Sequence, residues 1–179
     1  MRNSTALIAA LAIGLGAMAG IARGQEDVEH RRFDAQEHAF LRQAMDHDLF
    51  MWRLGEYAER HAAAASVKDL GKDVARESRD DLRDIQHFAE DHRANLEQPK
   101  DITLQEKSLM DRMSQKPGID FDKDYTKLLV EQYDQLIHQY ERERDHAADP
   151  ALREYAAQRL PKLQSRMDKA KEAQHEVWR

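Results

Sequence analysis

Four long stretches of the chain place apolar residues at steps of three and four, and this spacing limits what the sequence can fold into. Residues at these steps lie on one face of an α-helix, so each stretch predicts a helix with one buried face. The predicted helices cover residues 35–61, 67–92, 121–147 and 150–176. The 179 residues include only 7 Gly and 4 Pro, and long β-branched runs are absent, so the sequence predicts an all-α fold.

Capping residues support the predicted starts of the helices. A side-chain oxygen at a helix start accepts hydrogen bonds from the free N–H groups of the first turn, and proline fits the first helical position. Such starts occur at Asp34 with Glu37, Ser66 with Asp69, Thr103 with Glu106, and Asp149 with Pro150. The start at Thr103 predicts an additional short helix between the second and third long ones.

The connections between the helices predict their arrangement. The run 62–65 is a short link, and short links make consecutive helices antiparallel neighbours. The segment 93–120 is long, is interrupted by prolines and holds the predicted short helix. Two antiparallel pairs joined by one long crossover is the connectivity of ferritin-like four-helix bundles, so residues 34–176 are predicted to form such a domain.

The first 19 residues are typical of a secretory signal peptide. Arg2 supplies a positive start, residues 6–19 are small and apolar, and Ala17-Met18-Ala19 fits the small-x-small cleavage pattern. Cleavage after residue 22 is a second option. An uncleaved membrane anchor is the alternative, although the apolar run is short for a bilayer span. We therefore predict a periplasmic or secreted protein in which residues 20–33 form a flexible N-terminal segment.

Composition excludes several classes of protein. Cysteine is absent, which excludes disulfides, thiol catalysis and iron–sulfur ligation. The formal net charge is −6 and basic residues are interleaved with acids, so no nucleic-acid partner is predicted. The sequence contains no Gly-rich phosphate loop and no recognisable nucleophile motif, so no catalytic residue is predicted and an enzymatic activity is not expected.

Four stretches of the chain resemble a known family. They read FLRQAMDHDLFMWRLGEYA at 40–58, VKDLGKDVARESRDD at 67–81, GIDFDKDY at 118–125 and DPALREYAAQRLPKLQSRM at 149–167. Together they resemble an exported bacterial family known as domain of unknown function 4142, often labelled a predicted outer membrane protein. The resemblance covers residues 35–176. It implies a ferritin-like four-helix bundle and export, and it implies no established activity.

The resemblance also implies where a metal would bind. Family members often carry an Asp-His pair in each of the second and third helices, a His in the last helix and acids in the first. The matching positions here hold Glu77 and Ser78, Gln132 and Tyr133, Arg166, and Met51 and Arg53. Serine and tyrosine are poor ligands for divalent iron or zinc, and arginine cannot be one. The resemblance therefore implies a degenerate metal site, and we expect no cofactor.

One short motif raises the metal question independently of the family. Glu143 and His146 form E-x-x-H, the half-site with which ferritin-like bundles hold iron or manganese. At about 100° per residue, Glu143 lies beside the buried face of its helix and His146 points toward solvent. A metal site in the bundle core needs both side chains inside, so no metal is predicted at this motif.

Polar residues on the apolar faces are the remaining candidates for a site: His47, Asp81, Ser78 and Tyr133. If the first hairpin turns near residue 64, facing positions sum to about 128, which places His47 opposite Asp81. A carboxylate facing an imidazole is expected to form a buried pair and to raise the pKa of the histidine. Such a pair either fixes the register of the two helices or joins Ser78 or Tyr133 in a rearranged ligand cluster.

These observations lead to three functional hypotheses. The first is an exported, non-enzymatic bundle with a degenerate metal site and a role in binding or envelope maintenance. The second is a metal-binding or redox protein with a rearranged site. The third is a helical holdase or adaptor with an exposed patch near Met110 and Met113. The expected partner is an unknown protein or a second copy of the chain, and association with a membrane stays open.

Overall fold

The structure, a computed structural model, describes residues 33–179. Its helices, numbered in chain order, are α1 Ala35–His61, α2 Ala65–Asp91, α3 Leu104–Ser114, α4 Ile119–His146 and α5 Pro150–Val177. The described residues form no strand, so the all-α prediction is confirmed for them. The predicted signal peptide and all but the last residue of the predicted flexible segment lie outside the described residues.

The long helices form a bundle of two antiparallel pairs. Helix α1 packs against α2, and α4 packs against α5. At one end of the bundle, the backbone N–H of Asp149 donates to Glu37 in the first turn of α1. At the other end, Asp122 near the start of α4 accepts from the α1–α2 loop. Helix α1 is therefore antiparallel to α4, and the segment holding α3 crosses the length of the bundle. This confirms the predicted four-helix bundle with a long crossover.

Three of the four predicted helix starts are confirmed. Asp34, Thr103 and Asp149 each accept hydrogen bonds from the first turn of the helix that follows. The predicted start at Ser66 and Asp69 is wrong, because α2 begins at Ala65 and has no side-chain cap of its own.

A buried carboxylate from another helix binds the loop just before α2 instead. The two carboxylate oxygens of Asp122 accept from the backbone N–H groups of Ala63 and Ala64 at 2.9 and 2.7 Å. Glu37 has the same role at the opposite end, where its oxygens accept from the N–H groups of Asp34 and Asp149 at 2.8 and 2.7 Å. Carboxylates accept strong hydrogen bonds from N–H groups, so each end of the bundle is closed by one buried acid.

Two glycines allow α1 and α2 to come very close together. A Cβ atom added to Gly55 would lie 2.6 Å from the backbone nitrogen of Ala75 and 2.7 Å from the carbonyl oxygen of Gly71. A Cβ atom added to Gly71 would lie 2.7 Å from the backbone nitrogen of Glu59. The numbers of these facing residues sum to 126 or 130, which confirms the predicted hairpin register near 128.

We expect Gly55→Ala to destabilise the bundle by about 2 kcal/mol, although alanine is the better helix former. Helix propensity favours alanine by about 1 kcal/mol, but the new methyl group would overlap backbone atoms of α2, and overpacking costs about 1–3 kcal/mol or more. Urea unfolding measures the change. Ser66→Ala, at an exposed position of α2, is the control and should be neutral or stabilising. A Gly55→Ala protein that is more stable than wild type would contradict the close approach.

The crossover turns its methionines toward the bundle. Met113 is buried and Met110 is partly buried against the core. The predicted exposed methionine patch is therefore wrong, and the exposed apolar residue of α3 is Leu104 instead. None of the helices within residues 33–179 combines the length and the apolar character needed to cross a membrane.

Candidate functional site

An ionic network lies inside the bundle between α2 and α5. Its centre is Asp81 of α2, whose side chain is 6% exposed. Arg159 places Nη2 at 2.5 Å from Oδ1 of this carboxylate. Arg166, about two turns further along α5, donates from Nη1 to Oδ2 and from Nη2 to Oδ1, the latter at 3.3 Å. One buried carboxylate is therefore paired with two guanidinium groups and accepts hydrogen bonds from that of Arg166.

Further charged residues extend the network toward the surface. The Nε atom of Arg166 lies 2.8 Å from Oε2 of Glu77, and Nη1 of Arg159 donates to Asp84 at 3.0 Å. Lys169 lies at the rim, with Nζ 3.6 Å from Oε1 of Glu77. Acids from α2 thus face bases from α5 along the network, and each carboxylate of these pairs has a cationic neighbour.

Asp48 of α1 adds a second buried carboxyl group beside the network. Burial raises the pKa of Asp48 well above its usual range, and the charge of Asp81 raises it further. Arg159 and Arg166 oppose this rise, but their hydrogen bonds go to the acids of α2. The environment therefore favours the neutral acid at Asp48.

His47, which was predicted to form a buried pair with Asp81, makes no direct hydrogen bond with it. Both ring nitrogens are buried and have no hydrogen-bond partner among the described residues, although the residue as a whole is partly exposed. Burial lowers the pKa of His47 to about 4, and the nearby charge of Asp81 opposes this fall without reversing it. The predicted rise in pKa is wrong, because the carboxylate of Asp81 is held by Arg159 and Arg166.

Ser78 and Tyr133, the other predicted candidates, are also buried. Burial raises the pKa of the Tyr133 hydroxyl, and the charge of Arg166 acts in the opposite direction, so Tyr133 lies near the network. Neither residue is hydrogen-bonded to His47 or Asp81. The four predicted residues therefore lie in one region of the core but do not form a joined cluster.

The described residues do not fit the metal that the family resemblance implies. Within residues 33–179, no three or more His, Asp or Glu side chains are grouped so that they could hold a metal ion. The carboxylates of Glu77 and Asp81 are occupied by Arg166, and a guanidinium group cannot be a ligand. The side chains thus argue against a rearranged site built on His47 and Asp81.

The E-x-x-H motif lies where the helix geometry predicts. Glu143 is partly buried and His146 is exposed. They border a small cavity of about 150 Å³ together with Asp34 and Glu37. Burial and the charge of Glu37 raise the pKa of Glu143. The oxygens of Asp34 and Glu37 are used to cap helix starts, so this end of the bundle is a structural junction.

A cleft of about 620 Å³ opens from the network to the surface between α2 and α5. Glu77, Asp81 and Arg166 line it, with Pro161 on the α5 side. Helix α5 continues through Pro161, which lacks a backbone donor. The acids and bases that the cleft shares with the network are paired with one another, so these side chains form a structural ion-pair network.

Sequence reasoning missed Arg159, which is buried. A signal was available. The buried positions of α5 follow steps of three and four: 152, 156, 159, 163, 167, 170, 173 and 177. Arg159 falls on this series, which apolar residues otherwise occupy, and Arg166, which is partly buried, comes directly before Met167.

Comparison with known proteins gives one match. The family model described as a domain of unknown function (DUF4142) matches residues 23–173, a range that includes α1 to α4 and most of α5. No curated protein and no solved structure matches the chain.

Proposed function

This chain belongs to the DUF4142 family, and on that basis we propose that it is an exported helical-bundle protein with a non-catalytic role in binding or in maintaining the cell envelope. In this proposal the place of the metal is taken by Arg166, which supplies a fixed positive charge. The observation that carries it is the pairing of Arg166 with Glu77 and Asp81 inside the bundle.

The energetics of the network support this proposal. A metal ion at Glu77 and Asp81 would have to displace Arg166, and breaking a buried ion pair costs about 3–5 kcal/mol. A guanidinium stays protonated and cannot coordinate the incoming ion. The network then joins α2 to α5, and binding would use the surface of the bundle, with a protein or a second copy of the chain as partner.

Export with cleavage of the signal peptide predicts a mature protein that begins at Gly20 or Arg23. N-terminal sequencing of protein recovered outside the cytoplasm tests this.

The proposal predicts that wild-type protein does not respond to metal. Its melting temperature should stay unchanged when Mn²⁺, Fe²⁺ or Zn²⁺ is added, because a ligand that binds the native state must raise it. Metal analysis after purification without chelators should find no stoichiometric ion. One ion per chain that is lost in His47→Ala would contradict the proposal and favour a rearranged metal site.

A single substitution tests whether Arg166 is the element that replaces the metal. Arg166→His removes the guanidinium and places an imidazole ligand beside Glu77 and Asp81. This variant should acquire a rise in melting temperature with Zn²⁺ that wild type lacks. Gln164→His puts the same side chain on an exposed position of α5 and should show no such rise. Equal responses of the two variants would mean that the interior position has no special affinity.

A further inference from the structure

A groove of about 470 Å³ lies between α4 and α5 near the C-terminal end of α5. It is lined by Lys127, Lys171, Gln174, His175 and Trp178. None of these residues belongs to the ionic network. Small-molecule sites in proteins usually enclose about 300–1,000 Å³, so the groove has room for a small ligand.

One face of α5 supplies most of the lining. At about 100° per residue, its four lining residues lie within about 100° of one another. Glu172 and Glu176 belong to the same turns, but they point about 100–140° away from Lys171. The acids of this segment are therefore directed away from the groove, and the side chains that face it are basic, polar or aromatic.

The groove is positively charged in a protein whose formal net charge is −6. Lys171 forms no ion pair with any other described residue. Lys127 lies 3.9 Å from Glu131, and such an exposed pair contributes little. A third ammonium group, from Lys123, lies 5.6 Å from the centre of the Trp178 ring. This surface therefore favours a negatively charged ligand.

Trp178 sets a second requirement on the ligand. The residue is 57% exposed, although tryptophan is usually well buried. Its indole faces the groove beside an ammonium group, and an aromatic ring binds other flat rings by offset or edge-to-face contact. A ligand that covered the indole would remove apolar surface from water, which is favourable.

From these two requirements we propose that the groove binds a small aromatic anion, with its ring against Trp178 and its negative group between Lys127 and Lys171. The lysine ammonium groups would select the charge, and the indole would select the flat apolar body. The inference does not depend on the absence of a metal from the bundle interior.

The acids around the groove favour a small ligand over an anionic membrane. A small ligand would contact only the basic, polar and aromatic residues that line the groove, whereas a membrane would also press on the surrounding surface, where Glu172 and Glu176 are exposed. Of the exposed large apolar side chains in the described residues, Ile119 is 47% exposed at the start of α4 and Leu104 lies on α3 in the crossover. Ile119 and Trp178 lie at the same end of the bundle, and two exposed side chains do not form an apolar face.

Naphthalene-2-carboxylate is a suitable probe, and the two tryptophans allow an internal control. In a heteronuclear NMR titration, the indole N–H signal of Trp178 should shift in a saturable way. The signal of Trp52 should not move, because that indole already donates to Glu56 at 2.8 Å. The neutral analogue naphthalene-2-methanol and the non-aromatic cyclohexanecarboxylate should each bind at least about threefold more weakly.

Variants measured by calorimetry separate the two requirements. Trp178→Ala should weaken binding of the naphthoate about tenfold, and Lys171→Gln about threefold. Lys162→Gln, at an exposed lysine of α5, should leave binding unchanged. Equal affinity for the acid and the neutral alcohol, or no saturable shift of Trp178, would overturn the proposal. Binding to phosphatidylglycerol vesicles without binding of the naphthoate would also overturn it and would indicate a membrane surface.

Discussion

Replacing Asp81 with alanine is expected to lower the free energy of unfolding by about 3–5 kcal/mol. The substitution removes a buried carboxylate that is paired with both Arg159 and Arg166. These arginine side chains are only 7% and 12% exposed, so water entering from the cleft replaces the lost acceptor only in part. Arg159 keeps Asp84 and Arg166 keeps Glu77, but each loses its contact with the central acid. Urea unfolding at neutral pH measures the loss.

Two comparisons show whether this loss comes from burial. Asp80 is adjacent in sequence, but its pair with Arg83 is exposed on both sides, so Asp80→Ala should change stability by no more than about 0.5 kcal/mol. A variant that combines Asp81→Leu with methionine at Arg159 and Arg166 should recover much of the loss, because apolar side chains often replace a buried ionic cluster without cost. If Asp81→Ala costs no more than Asp80→Ala, the network is not buried as described.

The fold could be predicted because the residues that determine each helix lie close together in the sequence. Each long helix carries its own apolar face, and the starts at Asp34, Thr103 and Asp149 use side chains within one turn of the residues that they cap. The hairpin register followed from the short link alone. The start of α2 could not be predicted in this way, because the carboxylate of Asp122, which binds the loop just before α2, comes from α4.

The network could be predicted only in part, because its partners are distant in sequence. Asp81 was identified from its place on the apolar face of α2, and the hairpin register placed it opposite His47. The residues that pair with Asp81 come from α5, 78 and 85 positions later in the chain. An arginine on a helix is normally assigned to the surface, so Arg159 was excluded from the core. Arg159 can be assigned to the core once its guanidinium is found to face the carboxylate of Asp81 on the neighbouring helix.

His47 is expected to make stability depend on pH. Burial lowers the pKa of this imidazole to about 4 in the folded protein, while an unfolded chain has a value of about 6.5. The folded state therefore favours the neutral ring, and the unfolded state takes up a proton first as the pH falls. The stabilisation is present above about pH 6.5 and is lost as the pH falls toward about 4. This sign is opposite to that of a histidine paired with Asp81, whose pKa would be raised.

Comparing His47→Gln with wild type isolates this effect, because the other titrating groups are common to both proteins. Between about pH 7.5 and about pH 5, wild type should lose about 2 kcal/mol more stability than His47→Gln. The matched control is His87→Gln, since the His87 side chain is 75% exposed and its removal should leave the pH dependence almost unchanged. A proton NMR titration tests the same point directly. If the ring signal of His47 titrates near pH 6.5, or if the two variants show the same pH dependence, the imidazole is hydrated and its burial does not control the acid sensitivity of the bundle.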